Sequence, residues 1–196
     1  MNENIKQNPL LFRFARGAFE YLELFALSVL AVFLIFTFGI RTCRVDGQSM
    51  ENTLYDEEYL VIRSLAYEPK QDDIIVFHGL DKTLVKRVIA VGGQEVVIDT
   101  KNNKITVDGI EYADSHAVLK DRSSDEITNK YEAYLFQPAL DSEGVYKVSV
   151  PEGKLFVMGD NRNNSMDSRN PSVGFVDERT VLGKVILRIA PFTVFS

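Results

Sequence analysis

The chain has 196 residues, one cysteine (Cys43) and a net charge of −6. A lone cysteine excludes an internal disulfide, and an acidic chain without a basic stripe is a poor nucleic-acid binder, so no nucleic-acid partner is expected. His78 and His116 lie far apart with no cysteine beside either, which leaves no zinc-ligand spacing and no histidine next to a nucleophile motif.

Residues 1–17 are polar and mildly basic and read as a short disordered or interfacial tail. Leu24–Ile40 then runs for 17 residues without a charge. As a helix it is about 25 Å long, at the short end of a membrane span. Extending it back to Ala18 brings in Glu20, Glu23 and Tyr21, which suit the headgroup region. The run is apolar on all sides, unlike a core helix. It is also longer than a signal-peptide core, and Phe38-Gly39-Ile40-Arg41-Thr42 offers no Ala-x-Ala-like cleavage site. An uncleaved anchor over 18–40 is therefore expected. Charges within residues 1–40 cancel, with Lys6, Arg13 and Arg16 against Glu3, Glu20 and Glu23, so the whole −6 belongs to residues 41–196. Arg41 and Arg44 follow the span closely, and the positive-inside rule gives only a slight preference for a cytoplasmic N-terminus.

Beyond the anchor the pattern turns to β. Tyr59–Arg63, Ile74–Phe77, Leu84–Val91, Val96–Asp99, Leu155–Met158 and Val181–Ile189 are short runs rich in β-branched and aromatic residues. Asp108-Gly109 between Ile105–Val107 and Ile110–Tyr112 is a type I′ hairpin signal. Gly92-Gly93 and Val150-Pro151-Glu152-Gly153 mark further turns. Residues 113–144 read as an excursion from the sheet, with a charged patch at Lys120–Glu126 and room for a short helix. The apolar end, Ile189–Ser196, fits a core strand and a membrane-facing edge equally well. The expected fold is mainly β, an antiparallel sheet domain tethered by one N-terminal transmembrane helix.

Three stretches carry chemistry. Ser49 stands in Val45-Asp46-Gly47-Gln48-Ser49-Met50, nine residues past the anchor and so within roughly 30 Å of the membrane exit. A Gly-x-Ser is as compatible with a turn as with a nucleophile, and a nucleophilic serine needs a base. Lys86 is the candidate. In Leu84–Ile89, alternation puts Leu84, Lys86 and Val88 on one face and Val85, Arg87 and Ile89 on the other, so one of two cations must lie on the more buried side. A buried lysine can be a neutral base near neutrality and an arginine cannot. An exposed edge or a carboxylate partner for Lys86 is the alternative. Gly159–Arg169, GDNRNNSMDSR, packs two Asp, two Arg, two Ser and three Asn directly behind an apolar strand. It is either a turn-rich surface loop or a polar scaffold for reactive groups.

Taken together, GQSMENTL at 47–54, DDIIVF at 72–77, KRVIAVGG at 86–93 and GDNRNNSMDSR at 159–169, in that order behind an anchor, resemble the bacterial type I signal peptidases. Gly174 and Gly183 follow as in that family. The resemblance implies a membrane-bound serine endopeptidase that cleaves signal peptides from secreted preproteins. Ser49 would be its nucleophile, Lys86 its general base and Ser165 the hydroxyl that orients the lysine. Asp160, Arg162, Asp167 and Arg169 would form the polar framework, bracing the loop by ion pairs. It also implies a cytoplasmic tail (1–17), an extracytoplasmic catalytic domain (41–196) with an inserted second β region (94–152), and a place in the bacterial plasma membrane. The mechanism implied uses no metal and no cofactor. Its partners would be the lipid membrane and preproteins with small residues before the scissile bond. Val45, Gly47, Gln48, Met50, Leu84 and Val85 would line the peptide, with strand edges at Val45–Gln48 and Lys82–Val85 pairing to it. Asn52 stands where the family has proline, Gln94-Glu95-Val96 replaces a Pro-Gly-Asp turn, and Gly47 replaces a serine whose hydroxyl helps some members hold the oxyanion. A self-cleaving repressor-like protease and a non-enzymatic binding module are the rival readings. The anchor opposes the first, and the presence of both Ser49 and Lys86 opposes the second.

Overall fold

The computed structural model describes residues 9–79, 82–99, 102, 104–117 and 145–195. Two compact units divide the chain, Met1–Arg41 and Thr42–Ser196. In the first, helix α1 (Pro9–Leu34) continues into a π-helical turn, Ile35–Gly39. The helix begins well before Ala18, so residues 9–17 are helical and not a disordered tail. Pro9 at the first helical position is compatible with that start, because its missing N–H has no intrahelical partner to lose. The stretch Arg16–Thr37 is long and apolar enough to cross a membrane, and its most apolar window is unburied among the described residues. Its hydroxyls turn back onto the backbone, Ser28 Oγ to Leu24 O at 2.8 Å and Thr37 Oγ1 to Phe33 O at 2.7 Å, which keeps them paired without water.

The second unit is antiparallel β. Its strands are β1 (Ile40–Arg44, which begins just before the unit), β2 (Tyr59–Arg63), β3 (Ile74–Gly79), β4 (Lys82–Val91), β5 (Glu95–Asp99), β6 (Lys104–Val107), β7 (Ile110–Glu111), β8 (Val145–Ser149), β9 (Lys154–Met158), β10 (Val176–Asp177), β11 (Val181–Arg188) and β12 (Thr193–Val194). The main sheet has the order β1-β2-β11-β3-β4-β9-β10, with β12 on β11, and a smaller sheet has the order β7-β6-β5-β8. The long apolar runs were legible as strands. Strands β1, β8, β10 and β12 were not, being short or rich in polar residues. At the hairpin tip Asp108 and Gly109 both have positive φ, as a type I′ turn requires. The polar excursion lies outside the described residues from 118 to 144.

β3 and β9 are buried along both faces, as their unbroken apolar sequences suggest. On one face of the main sheet Leu60, Ile62, Ile74, Val76 and Val185 pack with Val45, Met50 and Leu54 of the segment after β1. On the other, Ile75, Phe77, Val88, Leu155 and Val157 form a second core. A third core joins the two sheets, with Ile89, Phe156 and Met158 against Val96, Ile98 and Ile105. The smaller sheet therefore shares its apolar burial with the larger one. The two crossings between sheets touch at Gly92, where an added Cβ would meet Pro151 O, Glu152 Cα and Gly153 N at 3.0 Å.

Candidate active site

β4 is central to the main sheet only along part of its length. It pairs with β3 from Lys82 to Arg87, but its pairing with β9 begins at Arg87 opposite Met158. The stretch Lys82–Lys86 thus has a strand on one side and, among the described residues, none on the other. Lys86 stands at the inner end of this open edge, 2% exposed. Its Nζ donates to Ser49 Oγ at 2.6 Å and to Val85 O at 3.0 Å. Burial pushes the amine down from the usual 10.5 to about 8, and the nearby Asp167 carboxylate offsets part of that fall. A half-buried hydroxyl beside such an amine is the arrangement of a nucleophile with a base.

Ser49 sits in a tight turn over residues 48–54, where Thr53 N and Leu54 N both return to Met50 O. Gly47, with φ of 96°, donates its N–H to Asp56 Oδ1 at 2.9 Å. The Ser49 N–H has no acceptor among the described residues. Behind the turn lies the 159–169 stretch. Asn161 N donates to Ser49 O, and Asn161 Nδ2 to Gln48 O, each at 3.0 Å. Gly159 permits this contact, since any Cβ there would collide with Ser49 O and with Ser165 Oγ.

The four charged residues of the stretch are all buried, so it is not a solvated surface loop. All four make ion pairs, as expected, but only two of them pair with each other. Asp167 and Arg169 are that pair, through two bonds of 2.8 Å, and Asp167 also accepts from Gly159 N. Burial alone would raise the Asp167 carboxyl, but Arg169 and these donors hold it below its ordinary value. Asp160 instead takes both arms of Arg87 on β4, at 2.9 and 2.7 Å, and the Thr53 hydroxyl at 2.5 Å. Arg162 pairs with Asp114, beyond β7, and donates Nε to Gly159 O. The reason is geometric: each side chain faces a different neighbouring element, which sequence spacing does not reveal.

Two further expectations change. Lys86 and Arg87 are both buried, because β4 is covered on each face and Arg87 has its own carboxylate. The expected hydrogen bond from Ser165 to Lys86 is absent. Ser165 Oγ lies beside the Asp167 carboxylate but makes no hydrogen bond of normal geometry there or elsewhere among the described residues. Of the residues expected to line a peptide, Val45 and Met50 are core side chains. Gln48 is exposed, and Gly47, Leu84 and Val85 are half-buried near the open edge. Sequence reasoning passed over Asn161, Thr53 and Asp114, and treated Arg87 only as the other cation. Asn161 lay inside a block already singled out, but nothing in its spacing marks it as reaching Ser49.

The family described as signal peptidase, peptidase S26, matches residues 18–190. The chain is 31% identical over 183 residues to signal peptidase IB of Staphylococcus aureus (strain Mu50 / ATCC 700699), spanning 90% of this chain and 92% of the relative. It is 33% identical over 179 residues to signal peptidase I of Bacillus licheniformis, covering 89% of each. A crystal structure of a signal peptidase I from Enterococcus faecalis V583 aligns with 60% of this chain and 97% of that one, at 25% identity and a TM-score of 0.40.

Proposed function

The chain belongs to the signal peptidase family, peptidase S26, and from that premise we propose that it cleaves signal peptides from preproteins with Ser49 as nucleophile and Lys86 as general base. It is a type I signal peptidase, a hydrolase of peptide bonds. The observation that carries the assignment of roles is the 2.6 Å hydrogen bond between a buried, depressed-pKa amine and the Ser49 hydroxyl.

Neutral Lys86 takes the Ser49 proton as Oγ attacks the scissile carbonyl carbon. The tetrahedral species collapses when Lys86 returns that proton to the leaving amine. Lys86 then takes a proton from water as the water attacks the acyl carbon, and returns that proton to Ser49 Oγ as the acyl group leaves, which restores the hydroxyl and the neutral amine. The developing oxyanion needs donors. Gly47 brings no hydroxyl and its N–H is engaged by Asp56, so the free Ser49 N–H is the donor assigned here. The substrate enters as an extended strand along Lys82–Val85, where β4 lacks a neighbour on one side. The backbone of Val45 is already paired with Glu57 and Glu58 and that of Gly47 with Asp56, so Val45–Gln48 is not a second open edge. Backbone pairing along β4 gives affinity. Half-buried Leu84 and Val85 favour small side chains before the bond.

In this reading α1 crosses the plasma membrane with its N-terminus in the cytoplasm and holds residues 41–196 outside, as one catalytic domain with the 94–152 insertion. Its length and unburied apolar surface support the span. Confining enzyme and preprotein to one membrane raises their effective concentration. The test is preprotein cleavage in detergent by the full chain and by Ser49→Ala. Cleavage by the first and none by the second is expected. Cleavage by both removes Ser49 as nucleophile, and cleavage by neither favours a non-enzymatic module.

A further inference from the structure

Asn161 is 1% exposed and holds the nucleophile turn at two points. Its backbone N–H donates to Ser49 O and its Nδ2 to Gln48 O, both at 3.0 Å. The side-chain amide is set by that Nδ2 bond, its Oδ1 being buried without a partner among the described residues. Turned over, it would set Oδ1 against the Gln48 carbonyl, acceptor on acceptor. Asn164 steadies the same arrangement, with its N–H on Asn161 O at 3.0 Å and its Nδ2 near Gln48 Oε1 at 3.4 Å.

The Gln48 carbonyl and the Ser49 N–H belong to one peptide plane. That peptide is trans, so the two groups point in opposite directions. Gripping the carbonyl on one side therefore fixes where the N–H points on the other. A carbonyl that accepts a hydrogen bond also polarises its own amide and makes the N–H a stronger donor. The Ser49 N–H is free among the described residues, whereas the Gly47 N–H is not.

We propose that Asn161 is a positioning residue that aims and strengthens the Ser49 N–H as donor to the oxyanion. The proposal rests on the reading of Ser49 as nucleophile. No bond is made or broken at Asn161 during the reaction. Its contribution appears only as negative charge develops, so its loss lowers kcat and leaves KM nearly unchanged. Its side chain makes no hydrogen bond to Lys86, so the acid limb of the pH profile stays in place.

The test uses the full chain in detergent with a preprotein substrate, comparing wild type, Asn161→Ala, Asn161→Asp and Ser49→Ala. The readouts are kcat, KM, Tm, the acid-limb midpoint and the Ki of a peptide boronic acid, which forms a tetrahedral adduct on a serine hydroxyl. Asn161→Ala should lower kcat about 10- to 100-fold and weaken the boronate by a similar factor. KM, Tm and the midpoint should stay close to wild type. Asn161→Asp has the same shape without the donor and should lose as much, which decides the matter if the alanine variant does not fold. A folded variant with kcat within about twofold of wild type overturns the proposal, as does a loss of kcat that leaves boronate affinity intact. Activity in Ser49→Ala would remove the nucleophile assignment itself. An inactive Ser49→Ala beside a fully active Asn161→Ala removes only the role of Asn161.

Discussion

Lys86 meets two opposing demands, since burial that depresses its pKa also costs the fold stability. Its folded value of about 8 lies below the ordinary 10.5, so the unfolded chain binds more protons between them and stability rises with pH across that window. The penalty is fully present below about pH 8, fades as pH approaches 10.5, and is on the order of 3 kcal/mol from the size of the shift. Lys86→Met removes it but leaves Val85 O without its donor. The net expectation is an inactive protein whose Tm at about pH 7 exceeds wild type by about 5 °C, with the advantage shrinking toward about pH 10. A lower Tm at about pH 7, or a difference that ignores pH, would show that burial of Lys86 carries no such cost. In the sequence, alternation left Lys86 and Arg87 open, the ability of a buried lysine to be neutral made Lys86 the candidate, and the resemblance gave it the role of base. The sequence could not show that Arg87 is buried too, because that follows from cover on the second face of β4.

At the scale of elements, β4 and the 159–169 stretch are joined by the Arg87–Asp160 pair, which also holds Thr53 of the nucleophile turn. Removing one partner of a buried pair leaves an uncompensated charge. Asp160→Ala should therefore destabilise by about 3–5 kcal/mol and lower Tm by roughly 10 °C or more, read by thermal unfolding. The comparison is Arg179→Ala, which breaks the pair with Asp177 at a fully exposed arginine and should leave Tm almost unchanged. Equal small shifts in both would mean that the buried pair is not what ties the elements together. Asp160, Arg162, Asp167 and Arg169 were legible as a polar cluster behind a strand. Their partners were not, because Arg87 and Asp114 lie 73 and 48 residues away in sequence and only the folded topology brings them in. Ser165 is the reverse case: the sequence singled it out, but the expected bond to Lys86 is missing.

For the molecule as a whole, the run of apolar residues and the order of four short blocks made the helix, the β class and the candidate dyad readable in the sequence. Long apolar strands are visible in sequence because burial on both faces demands an apolar side chain at nearly every position. Strands β10 and β12 are two residues each and rest on neighbours already in place, so no periodicity announces them. The C-terminal segment proved to be an edge strand with Phe192 and Val194 exposed, where sequence left core and surface equally open. Whether an amine and a hydroxyl 2.6 Å apart do the chemistry is tested most directly by the pH dependence of preprotein cleavage. Wild type and Lys86→Arg, both as full chains in detergent, would be followed from about pH 6 to about pH 10. Wild-type kcat/KM should rise with unit slope and level off above about pH 8 as Lys86 loses its proton, with Lys86→Arg at least about 100-fold lower throughout. A flat wild-type profile, or near wild-type turnover by Lys86→Arg, would contradict the role of Lys86 as base.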